Sequence, residues 1–386
     1  MPTRDPALLA ECRALRAAVT GHATLAALES ALEWPALRTR FTGLLGTIRR
    51  HVPDAPPAAP AALSLPGALR IVQWNIEHGN AYEAIEAALL GHPDLAGADL
   101  ITLEEVDLGC ARSGNRDVAG ELARRLGLQA VWAPLFLETT SGRHDDLRRA
   151  AGRANDEGLF GIAILSRWAL GDVHLLELPS PRELQFGRER MVGRHVALIA
   201  EVLRPDGAFV AVATHLEVHR TREHRAEQVR QIVAALATET RPVVLAGDFN
   251  SHTFDRGLWH APVQGTLALT LTPTPLLRAR LNHPDRGPFH ETLFDVLRHA
   301  GFEWTRAADF APTLRLQDER LEEMRALPWL LRAPAARVLR WAVHRGAMRL
   351  DWICGRGWAD ATGGTVAGLD GPGGASDHAP VVATLC

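Results

Sequence analysis

The sequence predicts an α/β domain preceded by a helical segment, and three observations carry that expectation. From Leu69 onward, short apolar runs alternate with polar loops and amphipathic helices. Residues 1 to 50 show only helical spacing. Between the two lies HVPDAPPAAPAALSLPG, 51 to 67, whose prolines cannot continue a helix. A boundary near residue 65 follows, with a helical appendage and Pro/Ala-rich linker over 1–65 and a main domain over 66–386. At 386 residues and 47% hydrophobic, the chain can bury a core large enough for that domain.

In the appendage, Leu8, Leu9, Cys12, Leu15 and Ala18, then Leu25, Leu28, Leu32 and Leu37, recur at intervals of three and four, predicting two or three helices that serve packing or oligomerisation. Downstream, ALRIVQWN reads as a strand ending on Asn75, AYEAIEAALLG as a helix closed by Gly91, and ADLITLEEVD as a strand ending on Glu104 and Glu105. RDVAGELARRLG is a helix, LQAVWAPLF a strand, and DEGLFGIAILSR leads into another. RHVALIAEVLRPDGAFVAVATHL reads as a hairpin around Pro205-Asp206-Gly207, its second strand ending on His215. REHRAEQVRQIVAALATE is a helix that delivers the chain into the strand VVLAGDFN. MRLDWIC carries Asp351, and Asp377 and His378 open the final strand.

Composition excludes several mechanisms. All 42 basic residues are arginines, so the phosphate-binding lysine of a P-loop, the Schiff-base lysine of a pyridoxal enzyme and the ATP-gripping lysine of a protein kinase are missing. A net charge of -3 argues against a protein that coats nucleic acid, so any such contact must be local. Cysteines 12, 110, 354 and 386 have neither paired nor regular spacing, and no zinc site or disulfide framework follows from them. The N-terminus interrupts its apolar residues with charge, and no run reaches the roughly 18 apolar residues of a membrane span. A cytoplasmic location is the expectation.

The chemistry gathers where strands end. Asp248 and Asn250 flank Phe249 and share one face of extended backbone, a carboxylate and an amide suited to a hard cation and a phosphate oxygen. Asn75, Glu105, His215, Asp351, Asp377 and His378 stand at comparable strand edges. Taken singly, each has an ordinary structural use, as a strand-end turn, a solvated acid or a core histidine. Carboxylates gathered in one cleft would repel, so either a divalent cation joins them or they never meet.

The ordered series WNI with Asn75, LEE with Glu105, AILSR at 163 to 167, THL with His215, GDFN with Asp248 and Asn250, LDWI with Asp351, and SDH at 376 to 378 resembles the endonuclease/exonuclease/phosphatase superfamily over about residues 69 to 385. The resemblance implies a four-layer α/β sandwich of two mixed sheets flanked by helices, and Mg²⁺- or Mn²⁺-dependent hydrolysis of a phosphoester. It also implies Glu105 as principal metal ligand, supported by Asn75 with Asp377 nearby, Asp351 orienting His378, and Asp248 and Asn250 addressing the water and the phosphate. Two departures stand out. Glu104 occupies the place of the usual glutamine before the metal-binding glutamate. THLEVH replaces the Y-x-P-N stretch of members that repair abasic DNA, and the one tyrosine, Tyr82, lies in a predicted helix. The histidine form is similar to the sphingomyelinase, secreted DNase, deadenylase and tyrosyl-DNA phosphodiesterase branches.

The expected chemistry is water polarised between Asp248 and His378, with His215 bonding a phosphoryl oxygen; the sequence leaves open which of Asp248 and His378 takes the proton. A phosphodiester, a nuclease substrate and a phosphomonoester all remain candidates, and a degenerate binding scaffold is the non-enzymatic alternative. Three stretches suit substrate selection: CARSGNRD (110 to 117), RERMVGRH (188 to 195) and the Arg/Trp-rich 328 to 349. The last could serve an anionic membrane surface or cap the cleft, whereas packing is the commoner use of such a helix.

Overall fold

The computed structural model describes residues 5–53, 67–142, 145–180, 184–186, 190–256, 261–315, 341, 345–371 and 373–386. Residues 54–66 of the linker, 188 and 189 of RERMVGRH, and 328–340 and 342–344 of the Arg/Trp-rich stretch lie outside them.

Two mixed sheets face each other. The larger runs in the order β15 (Ala361–Thr365), β16 (Val381–Leu385), β2 (Leu69–His78), β3 (Leu100–Leu108), β5 (Leu159–Ser166), β4 (Gln129–Glu138), β8 (Arg190–Gly193) and β7 (Leu184–Phe186), and β1 (Arg49–His51) also pairs with β4. The smaller runs β14 (Asp351–Arg356), β11 (Val243–Asp248), β10 (Phe209–His215), β9 (Val196–Leu203) and β6 (Ala169–Glu177). Each sheet holds one parallel pair, β2 with β3 and β10 with β11. Parallel neighbours need a crossover, and helices supply it: α4 (Tyr82–Gly91) between the first pair and α7 (Arg222–Ala235) between the second. A two-stranded piece, β12 (Leu314–Arg315) with β13 (Ala347–Met348), stands apart.

Three apolar clusters separate four layers. One packs helices on the outer face of the large sheet, a second fills the space between the sheets, and a third packs α7 and α10 (Leu293–His299) on the outer face of the small sheet. The expected α/β sandwich is what forms. Strand alternation assigns the faces. On β2, Val72, Trp74 and Ile76 belong to the outer cluster and Leu69 and Ile71 to the inner one, so Gln73 and Asn75 continue the inner row.

Residues before 54 share this core. Cys12, Leu15 and Val19 of α1 (Pro6–Thr20) and Phe41 and Leu44 of α3 (Trp34–Leu45) are buried in the outer cluster of the large sheet. The Arg16 guanidinium donates to the carbonyls of Asn155, Asp156 and Glu157. Short α2 (Leu25–Glu29) completes three helices.

Two strand boundaries differ from the sequence expectation. Strand β3 continues past Glu105, because a register shift between Leu103 and Val106, with Glu105 at φ 52°, absorbs the irregularity as a bulge. Asp377 and His378 precede β16, which starts at Val381, and lie in the loop leading into it. Strand β6 forms over ALGDVHLLE, a stretch for which no strand is expected above.

Candidate active site

The site grows from inner-face rows that turn polar at one end. Val244 and Ala246 of β11 face the inter-sheet core and Asp248 follows them; Ala211 and Ala213 of β10 lead to His215; Ile353 of β14 shares its row with Asp351. Register then aligns them, since His215 pairs with Asp248 and Asp248 with Asp351. Cross-strand partners project to one side, so these three groups stand side by side. From the opposing sheet, Asn75 is paired with Glu104 across β2 and β3. Gly247 lets β11 approach β10, because a Cβ there would sit 1.8 Å from the Thr214 carbonyl oxygen, at φ 154°.

Asp248 is the hub. Its Oδ1 accepts from the Asn250 amide at 2.8 Å, and its Oδ2 accepts from Asn75 Nδ2 at 3.2 Å. His215 Nε2 and His378 Nε2 lie 3.6 Å and 3.9 Å from that same Oδ2. Asn75 Nδ2 also donates to Glu105 Oε1 at 3.1 Å, which ties the two sheets' acids together. His378 Nδ1 is 2.7 Å from Asp351 Oδ2, and its Nε2 is 4.0 Å from Asp377 Oδ1. All eight sequence-predicted residues thus fall in one connected group. Asn250 alone turns its side chain away, donating from Nδ2 to the Leu216 carbonyl at 2.8 Å; its backbone, at φ 48°, is what meets Asp248.

Exposure separates floor from rim. The Asp351, Asp248 and His378 side chains are 0%, 3% and 6% exposed, whereas Glu105 and His215 reach 24% and 15% and so open to solvent. Burial pushes the Asp248 carboxyl up to about 7, helped by Asp351 and opposed by His378. Burial also lowers the His215 imidazole, favouring its neutral form. For Asp351, burial would raise the carboxyl, but the imidazole against it reverses the sign and holds it below its ordinary value. His378 answers in kind: burial would lower it, and the Asp351 charge lifts it well above its ordinary range.

Sequence reading missed Gln73 and His78. Gln73 Nε2 donates to Glu104 Oε2 at 2.7 Å and to Asp351 Oδ1 at 2.9 Å, linking the two sheets beneath the site. Its signal was present, a polar residue two before Asn75 on an apolar row. Burial drives the Glu104 carboxyl well above its ordinary value; its side chain is fully buried on the floor, and Glu105 is the acid facing the opening. Of the stretches proposed for substrate selection, CARSGNRD is largely committed inward: Arg112 is buried with Asp107 and Glu138, and Ser113 Oγ donates to Asp107 at 2.8 Å.

The donor set fits a hard divalent cation. Glu105 is an oxygen donor raised by burial, and the groups acting on it most after burial are His215, Asp377, Asn75 and His378, none of them a guanidinium. Among the described residues, Asp248, Asp351 and His378 also place one ligand atom each within 4.8 Å of the others. Within that trio, Asp351 and His378 already occupy each other at 2.7 Å.

The Endonuclease/Exonuclease/phosphatase family profile matches residues 72–378, and the chain belongs to that family. Similar solved structures include an endonuclease/exonuclease/phosphatase from Beutenbergia cavernae (19% identity, 82% of this chain and 71% of that chain, TM-score 0.49). The human Nocturnin catalytic domain with bound sulfate (16%, 83% and 94%, TM-score 0.44) and sphingomyelinase C from Streptomyces griseocarneus (14%, 82% and 99%, TM-score 0.45) are also similar. No curated protein matches the sequence. Among the described residues, no helix is long and apolar enough to cross a membrane.

Proposed function

We propose that this protein hydrolyses a phosphodiester by attack of water held between Asp248 and His378. The observation that carries the reading is the convergence on Asp248 Oδ2 of Asn75 Nδ2, His215 Nε2 and His378 Nε2, beside the solvent-facing Glu105. A divalent cation, Mg²⁺ or Mn²⁺, held by Glu105 with Asn75 and Asp377, would supply charge to offset that of the phosphoryl oxygens. Asp248 orients the water and takes its proton as the new P–O bond forms and the bond to the leaving oxygen breaks. His378, lifted by Asp351, keeps an Nε2 proton to offer the developing charge, and His215 offers a second ring nitrogen. The nucleic-acid, lipid-headgroup and other phosphodiester classes share this chemistry.

Assaying the full chain with Mg²⁺, Mn²⁺ or EDTA against single-stranded DNA, RNA, a 5′-tyrosyl oligonucleotide, sphingomyelin and inositol phosphates tests the proposal. Cation-dependent release from one diester class is the expected result. Turnover confined to phosphomonoesters, or persisting in EDTA, would overturn it.

A further inference from the structure

The contact that holds the solvent-facing glutamate from behind involves a histidine that the proposed chemistry does not use. His78 closes β2, and its Nε2 lies 3.2 Å from Glu105 Oε2 while Asn75 occupies Glu105 Oε1. The other ring nitrogen, Nδ1, lies 3.6 Å from Asp107 Oδ1. Asp107 is itself fixed: Arg112 donates to both its oxygens at 2.9 and 3.0 Å. The imidazole is therefore placed between the carboxylate at the opening and an anchored, fully buried one.

Backbone and packing both impose this placement. Glu77 and His78 have φ values of 45° and 64°, and the β2–β3 register shifts between Asn75 and His78, opposite the bulge at Glu105. Left-handed backbone in non-glycine residues is costly and persists only where surroundings over-determine it. Here two such bends face each other and turn His78 and Glu105 together. The His78 ring also meets the Phe160 ring edge-on, centroids 5.3 Å apart, and Phe160 stacks on Phe136.

We infer that His78 is a positioning residue that holds the Glu105 carboxylate in the orientation a divalent cation requires, its ring kept in place by the left-handed backbone and the edge-on contact with Phe160. This rests on Glu105 being a metal ligand, as proposed above. A partly exposed glutamate on a bulge would otherwise lose rotamer freedom on binding the ion, and groups hydrogen-bonded behind a ligand typically govern 10- to 100-fold in metal affinity.

Calorimetric Mn²⁺ titration of the full chain separates the possibilities. His78→Asn keeps a residue that tolerates left-handed backbone but is too short to span to Glu105, whereas His78→Gln restores the reach and an N–H donor. Expected are a roughly 10- to 100-fold weaker Kd for His78→Asn, recovery of most of that loss in His78→Gln, and metal-free melting of both close to wild type. Unchanged affinity in His78→Asn overturns the inference, as does a His78→Gln variant no better than His78→Asn. Glu105→Gln is the control: if it weakens Mn²⁺ binding while His78→Asn does not, the positioning role alone fails. If Glu105→Gln binds Mn²⁺ like wild type, the ligand assignment and the inference fall together.

Discussion

At the scale of single residues, the site is a balance of charges that burial makes costly and neighbours offset. Asp351 and His378 show this most clearly, each moving the other's protonation away from its ordinary value. His378, raised in the fold, adds stability below its unfolded pKa of about 6.5, and that contribution is lost as pH rises through the folded value. Asp351, lowered, adds stability above about 3.9, lost as pH falls through its folded value. In EDTA, Asp351→Asn should therefore cost most between about pH 4 and 6.5, on the order of 3–5 kcal/mol for a broken buried pair, as read by urea melts at several pH values. A cost that does not vary with pH would mean the pair is not charged in the fold. Activity offers a second reading: without the Asp351 charge the His378 pKa falls, so the pH-rate limb it governs moves to lower pH. The two changes combined should cost little more than His378→Ala alone, because they disable one unit. Losses that multiply would show the two acting independently.

At the scale of elements, the cluster exists because five strands carry an apolar inner row that ends on polar residues. That pattern was legible in the sequence, where ALRIVQWN, VVLAGDFN, AVATHL and LDWI each join an apolar run to a functional residue. Two features were less legible. Period-two alternation would put Glu104 and Glu105 on opposite faces, and it takes the left-handed turn at Glu105 to let both reach the site; no residue type announces such a turn at a glutamate. The packing of α1 and α3 onto the large sheet also depends on which sheet face lacks cover, which helical spacing alone does not reveal. That packing leads to a prediction. Leu15→Ala, fully buried against the large sheet, should destabilise the whole chain by about 2–5 kcal/mol in a single cooperative transition, with Mn²⁺ affinity unchanged. A separate, low-temperature transition for the N-terminal helices would show them folding as an independent unit.

At the scale of the molecule, two similar halves meet: each sheet contributes a parallel pair joined by a helix, and each pair delivers functional residues to the same end of the inter-sheet core. The large sheet brings Asn75 and Glu105, the small sheet His215, Asp248 and Asp351, and the loop before β16 closes the group with Asp377 and His378. Asp248 is where these contributions converge, contacted by Asn75 from one sheet and His215 from the other. If the fold serves to hold water at that carboxylate, Asp248→Asn, which keeps the size and the hydrogen-bonding shape but not the charge, should leave the fold and Mn²⁺ binding intact. The decisive measurement is single-turnover hydrolysis of the best diester by wild type and Asp248→Asn at matched Mn²⁺ occupancy: a fall of about 100- to 1000-fold is the predicted result, and a rate within a few-fold of wild type would contradict the account.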